Sequence, residues 1–226
     1  MDVDYGLLKK SLLFGEMTDG EIDKALELFN AELRRYPKGS SVKQIDEKMT
    51  SFGMVISGIV HIFTYDHNGN EMMMASVEKL NSFGETLCFL GLPTNVYISA
   101  AENAEILWLS GSVLHAKEPD RYSPILAERF TRLLAHKILE MNSRIQVLSQ
   151  VSLRGKLTTF LLQCAASYRS NVFSLPFGRE KMAVYLGTNR SALSRELSSM
   201  SREGIISFSR NTFTICDMKK MQVPFA

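Results

Sequence analysis

Cysteine is sparse in this chain of 226 residues: Cys88, Cys164 and Cys216 stand far apart and are odd in number. That excludes a disulfide framework and points to a reducing, cytoplasmic setting. No cysteine precedes residue 88, so four thiolates of one subunit cannot hold an iron–sulfur cluster. Histidine is equally thin. His61, His67, His115 and His136 are scattered, with no His-x-His pair and no partner at metal-ligand spacing, which removes cupin-type metal chemistry. Gly-x-Ser-x-Gly, a phosphate-cradling glycine-rich loop and a Cys/His nucleophile pattern are all missing. No apolar run approaches the roughly 20 residues of a membrane span. The opening MDVDYGLLKKSLLFGEM places acids before its lysines and is unlike a secretory signal. The expectation is a cytoplasmic protein that is not an enzyme and carries no metal or cofactor. Its 45% hydrophobic content is ample for folded cores.

A strong overall charge is also lacking, the net value being +2, but the balance is uneven. Residues 150–226 carry 11 Lys and Arg against 4 Asp and Glu, a net +7, and residues 1–149 carry 15 against 20, a net −5. A basic module joined to an acidic one suggests a nucleic-acid end and a non-binding end. A membrane is the poorer partner, because no long helix there pairs a basic face with an aromatic one.

Within the basic part, Gly178–Ile206 reads as a short helix, a turn at Gly187, a second helix from Asn189 to Glu203, and a glycine stop. Asn189 suits the cap, since its side chain can accept from free N–H groups of the first turn. Leu193, Leu197 and Met200 recur as a buried stripe. Arg190, Ser191, Ser194, Arg195 and Ser198 share another face, which carries donors and no acid and suits phosphates and guanine edges. Ile206–Ser209 and Thr212–Ile215 alternate around Arg210-Asn211 as a hairpin, and a hairpin behind a helix-turn-helix is a winged helix. Arg210 at its tip is placed to reach a phosphate.

Upstream, Thr18 and Glu21 have capping-box spacing in a stretch of one or two short helices. From Arg34 to about Leu109 short β runs alternate with turns: Met54–Ile56, Ile59–Tyr65, Glu71–Val77, Val96–Ala101 and Glu105–Leu109. Asn68-Gly69 supplies positive φ angles to a hairpin loop, and Asn81–Gly84 is a turn. Many short strands of this kind form a barrel or sandwich. Met72-Met73-Met74 read as adaptable core and strand residues. From Pro124 to Ser149 no glycine or further proline interrupts a long helix. Thr131, Ile138 and Ile145 sit seven apart, as do Ala127, Leu134, Met141 and Leu148, so Leu134, Ile138, Met141, Ile145 and Leu148 form a dimer seam. Leu126, Phe130 and Leu133 form a second stripe, available to pack on the strands. Gln150–Ser152 is the hinge to another amphipathic helix, Ser152–Ser167.

An acidic β-roll, a long helix and a winged helix-turn-helix, in that order, resemble the CRP/FNR family of bacterial transcription regulators over essentially the whole chain. The residues that carry the resemblance are Gly58-x-Val60, Phe83-Gly84-Glu85, Ser152-x-x-Gly155, and Leu186-Gly187-x-Asn189-Arg190 followed by Arg195-Glu196-Leu197. It implies an α+β fold. An effector-sensing, cyclic-nucleotide-binding-like antiparallel β-roll or jelly roll fills 1–118. A dimerisation helix and hinge follow over 119–150, and a winged helix-turn-helix over 151–226. The implied partners are double-stranded DNA with an inverted-repeat operator, a second copy of the chain, an unknown small-molecule effector and RNA polymerase. The DNA contacts carried over are Asn189, Arg190, Ser191, Ser194, Arg195 and Arg210. The effector pocket is Gly84, Glu85, Thr86, Thr94, Asn95, Met141 and Asn142.

Members that bind cyclic AMP complete this pocket with an Arg-Ser pair, and alignment backwards from Val96 puts Thr94-Asn95 there. Without the guanidinium a buried phosphodiester is poorly compensated, so cyclic AMP is expected to bind weakly or not at all. Glu85 then faces a small polar or uncharged effector, or only caps the turn. Asn142 either reaches the effector from the partner subunit or is an exposed helix position. The alternatives in other functional classes are a sensor module that controls a protein partner and a cupin-like enzyme.

Overall fold

The computed structural model describes residues 3–65, 67–115 and 121–221. In chain order its elements are α1 (Tyr5–Leu8), α2 (Asp19–Leu28), β1 (Glu32–Tyr36), β2 (Ser41–Lys43), β3 (Ser51–Ser57), β4 (Val60–Tyr65), β5 (Glu71–Val77) and β6 (Ser82–Phe83). Then come α3 (Glu85–Leu90), β7 (Tyr97–Ala100), β8 (Ala104–Ser110), α4 (Ser123–Leu148), α5 (Leu153–Tyr168), β9 (Val172–Ser174), α6 (Arg179–Tyr185), α7 (Arg190–Arg202), β10 (Ile206–Ser209), β11 (Thr212–Ile215) and α8 (Met218–Met221). The chain divides into two compact units, residues 1–136 and 137–226.

The first unit is an antiparallel roll of two four-stranded sheets, ordered β1-β8-β3-β6 and β2-β7-β4-β5. β3 and β8 are buried along most of their length, so they read as continuous apolar runs. Phe52 on β3 meets Phe29 edge-on at 5.8 Å and Phe130 of α4 at 5.4 Å, tying helices to the sheet. Burying each such ring stabilises the fold by about 1.5–3 kcal/mol. Thr18 caps α2 in the reciprocal arrangement that its spacing with Glu21 predicts. Leu126, Phe130 and Leu133 are buried, as their stripe requires.

Several local expectations are corrected. Asn81–Gly84 is not simply a turn: Ser82-Phe83 pairs with β3, and α3 starts at once afterwards. Among the described residues of the β4–β5 loop only Gly69 takes a positive φ, of 81°, and Asn68 does not. Asp66 and the last residues of the 1–118 segment lie outside the described residues. Met72, Met73 and Met74 are on a strand but outside the core, each about half exposed on β5 at the edge of its sheet. The two units divide within α4, at residues 136 and 137, whereas the bend at residues 149–152 separates α4 from α5.

The second unit packs α5, α6 and α7 against a small sheet ordered β10-β11-β9. Its core holds Val147 from the end of α4, together with Leu161, Leu193, Leu197, Met200 and Phe213. The wing therefore has three strands, because Phe173 of β9 pairs with Phe213 of β11.

Candidate nucleic-acid interface

α7 begins and ends by identifiable chemistry. Asn189 Oδ1 accepts from the Ala192 N–H at 2.8 Å, satisfying a donor of the first turn. At the other end Gly204, with φ of 69°, lets its own N–H reach the Ser201 carbonyl and lets Ile205 N–H reach the Met200 carbonyl, each at 3.0 Å. At 3.6 residues per turn, Arg190, Ser191, Ser194, Arg195, Ser198 and Arg202 fall within about 140° of helix surface. Leu193, Leu197 and Met200 occupy the buried side.

The donor face is exposed, but its two candidate arginines are not equivalent. Arg195 makes no hydrogen bond or ion pair among the described residues and lies along an open groove with Ser194, Ser198 and Arg202. Arg190 Nη1 lies 3.3 Å from Glu180 Oε1 of α6. The expectation of a face without acids is thus corrected: no acid of α7 lies on it, but one reaches it from the preceding helix. Ser191 is exposed as well.

Two arginines that sequence spacing does not reveal hold this surface in place. Arg154, in the first turn of α5, clamps the opposite flank of α7. Its Nε meets Glu196 at 2.5 Å, its Nη1 and Nη2 fork onto the two oxygens of Glu203 at 2.7 and 2.6 Å, and Nη2 also meets Ser199 at 3.3 Å. This fork and the Ser199 hydroxyl pull the Glu203 carboxyl down to about 2. Arg179, the first residue of α6, stacks its guanidinium over Phe213 at 4.6 Å and Phe208 at 5.1 Å, and donates to the Arg210 carbonyl at 2.7 Å. Burial lowers its pKa. It braces the wing, whose tip residue Arg210 is exposed with φ of 49°. These partners lie 29 to 49 residues apart in sequence, so no periodicity announces them.

In the first unit, Gly84 has φ of 80°, and a Cβ there would collide with the Met49 methyl. The positive φ is what favours glycine here, because the Met49 methyl ends a flexible side chain that can shift. Glu85 follows as the first residue of α3 and is only 4% exposed, while Thr86 is exposed. The Thr94 hydroxyl is buried and committed, donating to the Val96 carbonyl at 2.8 Å and accepting from the Val96 N–H at 3.1 Å. Asn95 is exposed, and its side chain makes no hydrogen bond among the described residues. Both segments are tied to one turn: Met49 covers Gly84, and Asp46 N–H bonds the Thr94 carbonyl at 2.8 Å. Met141 and Asn142 belong to the second unit and are exposed on α4. Among the described residues no three His, Cys, Asp or Glu side chains converge as metal ligands, and no helix is long and apolar enough to cross a membrane.

Residues 33–117 match the model of the cyclic nucleotide-binding domain, and residues 155–223 match that of the Crp-like helix-turn-helix domain. The chain is similar to the cyclic AMP receptor protein of Thermus thermophilus, at 26% identity over 92% of this chain and 94% of that one. It is also similar to the transcriptional regulatory protein Btr of Bordetella pertussis, at 24% identity over 89% and 84%. Among solved structures, the Thermus thermophilus catabolite activator protein shares 24% identity with a TM-score of 0.52, covering 94% of this chain and 97% of that one. A CooA variant from Carboxydothermus hydrogenoformans shares 20% with a TM-score of 0.61, covering 98% and 95%. These structural likenesses bear on fold alone.

Proposed function

Because the chain belongs to the CRP/FNR family of DNA-binding transcription regulators, we propose that it works as a homodimer reading an inverted-repeat operator under the control of a small molecule. Each α7 enters a major groove, and the two copies read half-sites about one helical turn apart. Arg195 contacts a guanine edge or a phosphate, Arg190, Ser191 and Ser194 add neighbouring contacts, and Arg210 on the wing meets the backbone. Contact with RNA polymerase belongs to the same reading, as does a cytoplasmic location. The observation that carries it is Arg195: exposed and without a partner among the described residues, on a helix held by the Asn189 cap and the Arg154 clamp.

Dimerisation is supported by α4. Ile138 is 57% exposed, Met141 63% and Ile145 56%, and Leu148 is also open, whereas Leu134, expected in the same seam, is part-buried against the first unit's core. Scattered exposed apolar residues are ordinary, but a seven-residue repeat of them is a seam that a second helix can cover. The effector acts by shifting the paired readers between binding-competent and incompetent arrangements, and only as far as its differential affinity allows.

That effector is not cyclic AMP, although several relatives are named for it. The pair Thr94-Asn95 offers no cation, and the Thr94 hydroxyl is already spent on Val96. Selection of random duplexes on the purified protein tests DNA reading: enrichment of a palindrome is expected, and failure to enrich any duplex overturns it. Titration calorimetry with cyclic AMP tests the effector statement, which a micromolar dissociation constant would overturn.

A further inference from the structure

We propose that a cleft at one end of the β-roll, sharing no residue with the Gly84–Thr86 and Thr94-Asn95 segments, binds a small polar zwitterion of the α-amino-acid type. The cleft has a volume of about 400 Å³ and a mostly polar lining. One wall is β1, where the alternate residues Glu32 and Arg34 share a face and Arg34 Nη2 donates to Glu32 Oε2 at 2.6 Å. Glu32 sits opposite Trp108 on β8, whose Nε1 donates to the Tyr36 hydroxyl at 3.0 Å and fixes the floor. The facing wall is β2 with the turn behind it, where Lys43 Nζ lies 2.6 Å from Glu47 Oε2. Glu47 Oε1 accepts from the Gln44 N–H at 3.0 Å, so this second pair is anchored to the backbone.

The cleft is thus lined by two cations and two carboxylates, paired within each wall. Such a balance gives no net attraction to a phosphate ester or to a simple amine, because either must compete with a resident charge of its own sign. A ligand carrying both charges meets a different surface. Arg34, whose guanidinium also meets the Tyr36 hydroxyl, retains N–H groups beyond those two bonds, and Lys43 keeps ammonium protons beyond its single bond, as donors for a carboxylate. Glu32 Oε1 has no hydrogen-bond partner among the described residues and accepts an ammonium. The side chains of Asn30, Thr50 and Ser51 also line the cleft without hydrogen bonds among the described residues, and serve the remaining polar atoms of the ligand. Each ion of the ligand then finds an opposite charge, and no resident ion is left unpaired. The volume lies within the range of small-molecule sites, and its polarity sets it apart from the usual apolar pocket. The site lies wholly in the first unit and stands independently of DNA reading.

The test is titration calorimetry of the full chain with the protein amino acids singly, followed by the decarboxylated amine and the deaminated acid of any that bind. At least one polar amino acid should bind saturably, and both amputated analogues should bind at least about tenfold more weakly. Glu32→Gln and Arg34→Gln should weaken binding by a similar factor. Arg35→Gln, on the opposite face of the same strand where Arg35 pairs with Glu105 at 2.8 Å, should not. The proposal is overturned if no amino acid binds, if either analogue binds as well as its parent, or if Arg35→Gln weakens binding as much as Arg34→Gln.

Discussion

Arg190 and Arg195 are five positions apart on one helix face, and their surroundings predict different mutational costs. Arg195→Ala should cost operator binding about 1–3 kcal/mol if the side chain reads a base, with preference relaxed at one position. Uniform loss on all duplexes would mark a phosphate contact instead. Arg190→Ala should cost less, since Arg190 must first leave Glu180. Fluorescence anisotropy on matched and scrambled duplexes separates these outcomes. The cysteines offer a second residue-level check. Burial pushes the Cys88 thiol up and the Cys164 thiol up to about 11, whereas Cys216 is exposed. Alkylation near neutral pH, read by peptide mass spectrometry, should modify Cys216 well before the other two. At this scale the sequence was legible where a role is local, as with the Asn189 cap. It was silent on Arg154 and Arg179, whose partners are brought to them only by folding.

Among the elements, α7 is the one whose supports are separable. Asn189→Ala removes one cap and should destabilise the second unit by about 1 kcal/mol in urea unfolding. The Arg154 clamp gives a pH signature. The Glu203 carboxyl ionises near 2 in the folded chain, against roughly 4.3 when unfolded. Its ion pair therefore contributes stability above about pH 4.3, and that contribution is lost as pH falls towards 2. Glu21, Glu32, Glu47 and Glu105 are lowered as well and act in the same direction. Glu203→Gln should lower Tm at neutral pH and flatten the fall of Tm across that acid window, as followed by circular dichroism. α4 was legible because its heptad repeats, and β5 because the Asn68-Gly69 loop marks a strand that returns along β4. α3 was not: six residues between two left-handed glycines, Gly84 and Gly91, are too few to show a period. β1 was missed because Arg34 and Arg35 break any alternation in ELRRY, although Leu33 and Tyr36 both pack against the core. β9 is three residues long and exists because β11 offers it a ladder.

For the whole molecule, the proposed homodimer rests on the seam of α4. Replacing Ile138 with Glu and Met141 with Lys should yield monomers by sedimentation with an unchanged circular dichroism spectrum, and should abolish operator binding. Sedimentation at the wild-type rate would remove the seam from the account. The order of modules was legible from the charge split and the change from short β runs to a long helix. The place where the compact units divide was not. Heptads show that α4 is one helix, but they do not reveal that Phe130 belongs to one core and Val147 to another.

The Arg190–Glu180 contact also sets how added salt should act on the complex. A solvated arginine that docks on a phosphate frees a condensed cation from the duplex, and that release makes affinity fall with ionic strength. Arg190 arrives already neutralised by a carboxylate, so its transfer strands Glu180, which must recruit a cation of its own. The release is then largely cancelled. A plot of log K against log salt should count Arg195 nearly in full and Arg190 hardly at all, and Glu180→Gln should make it steeper.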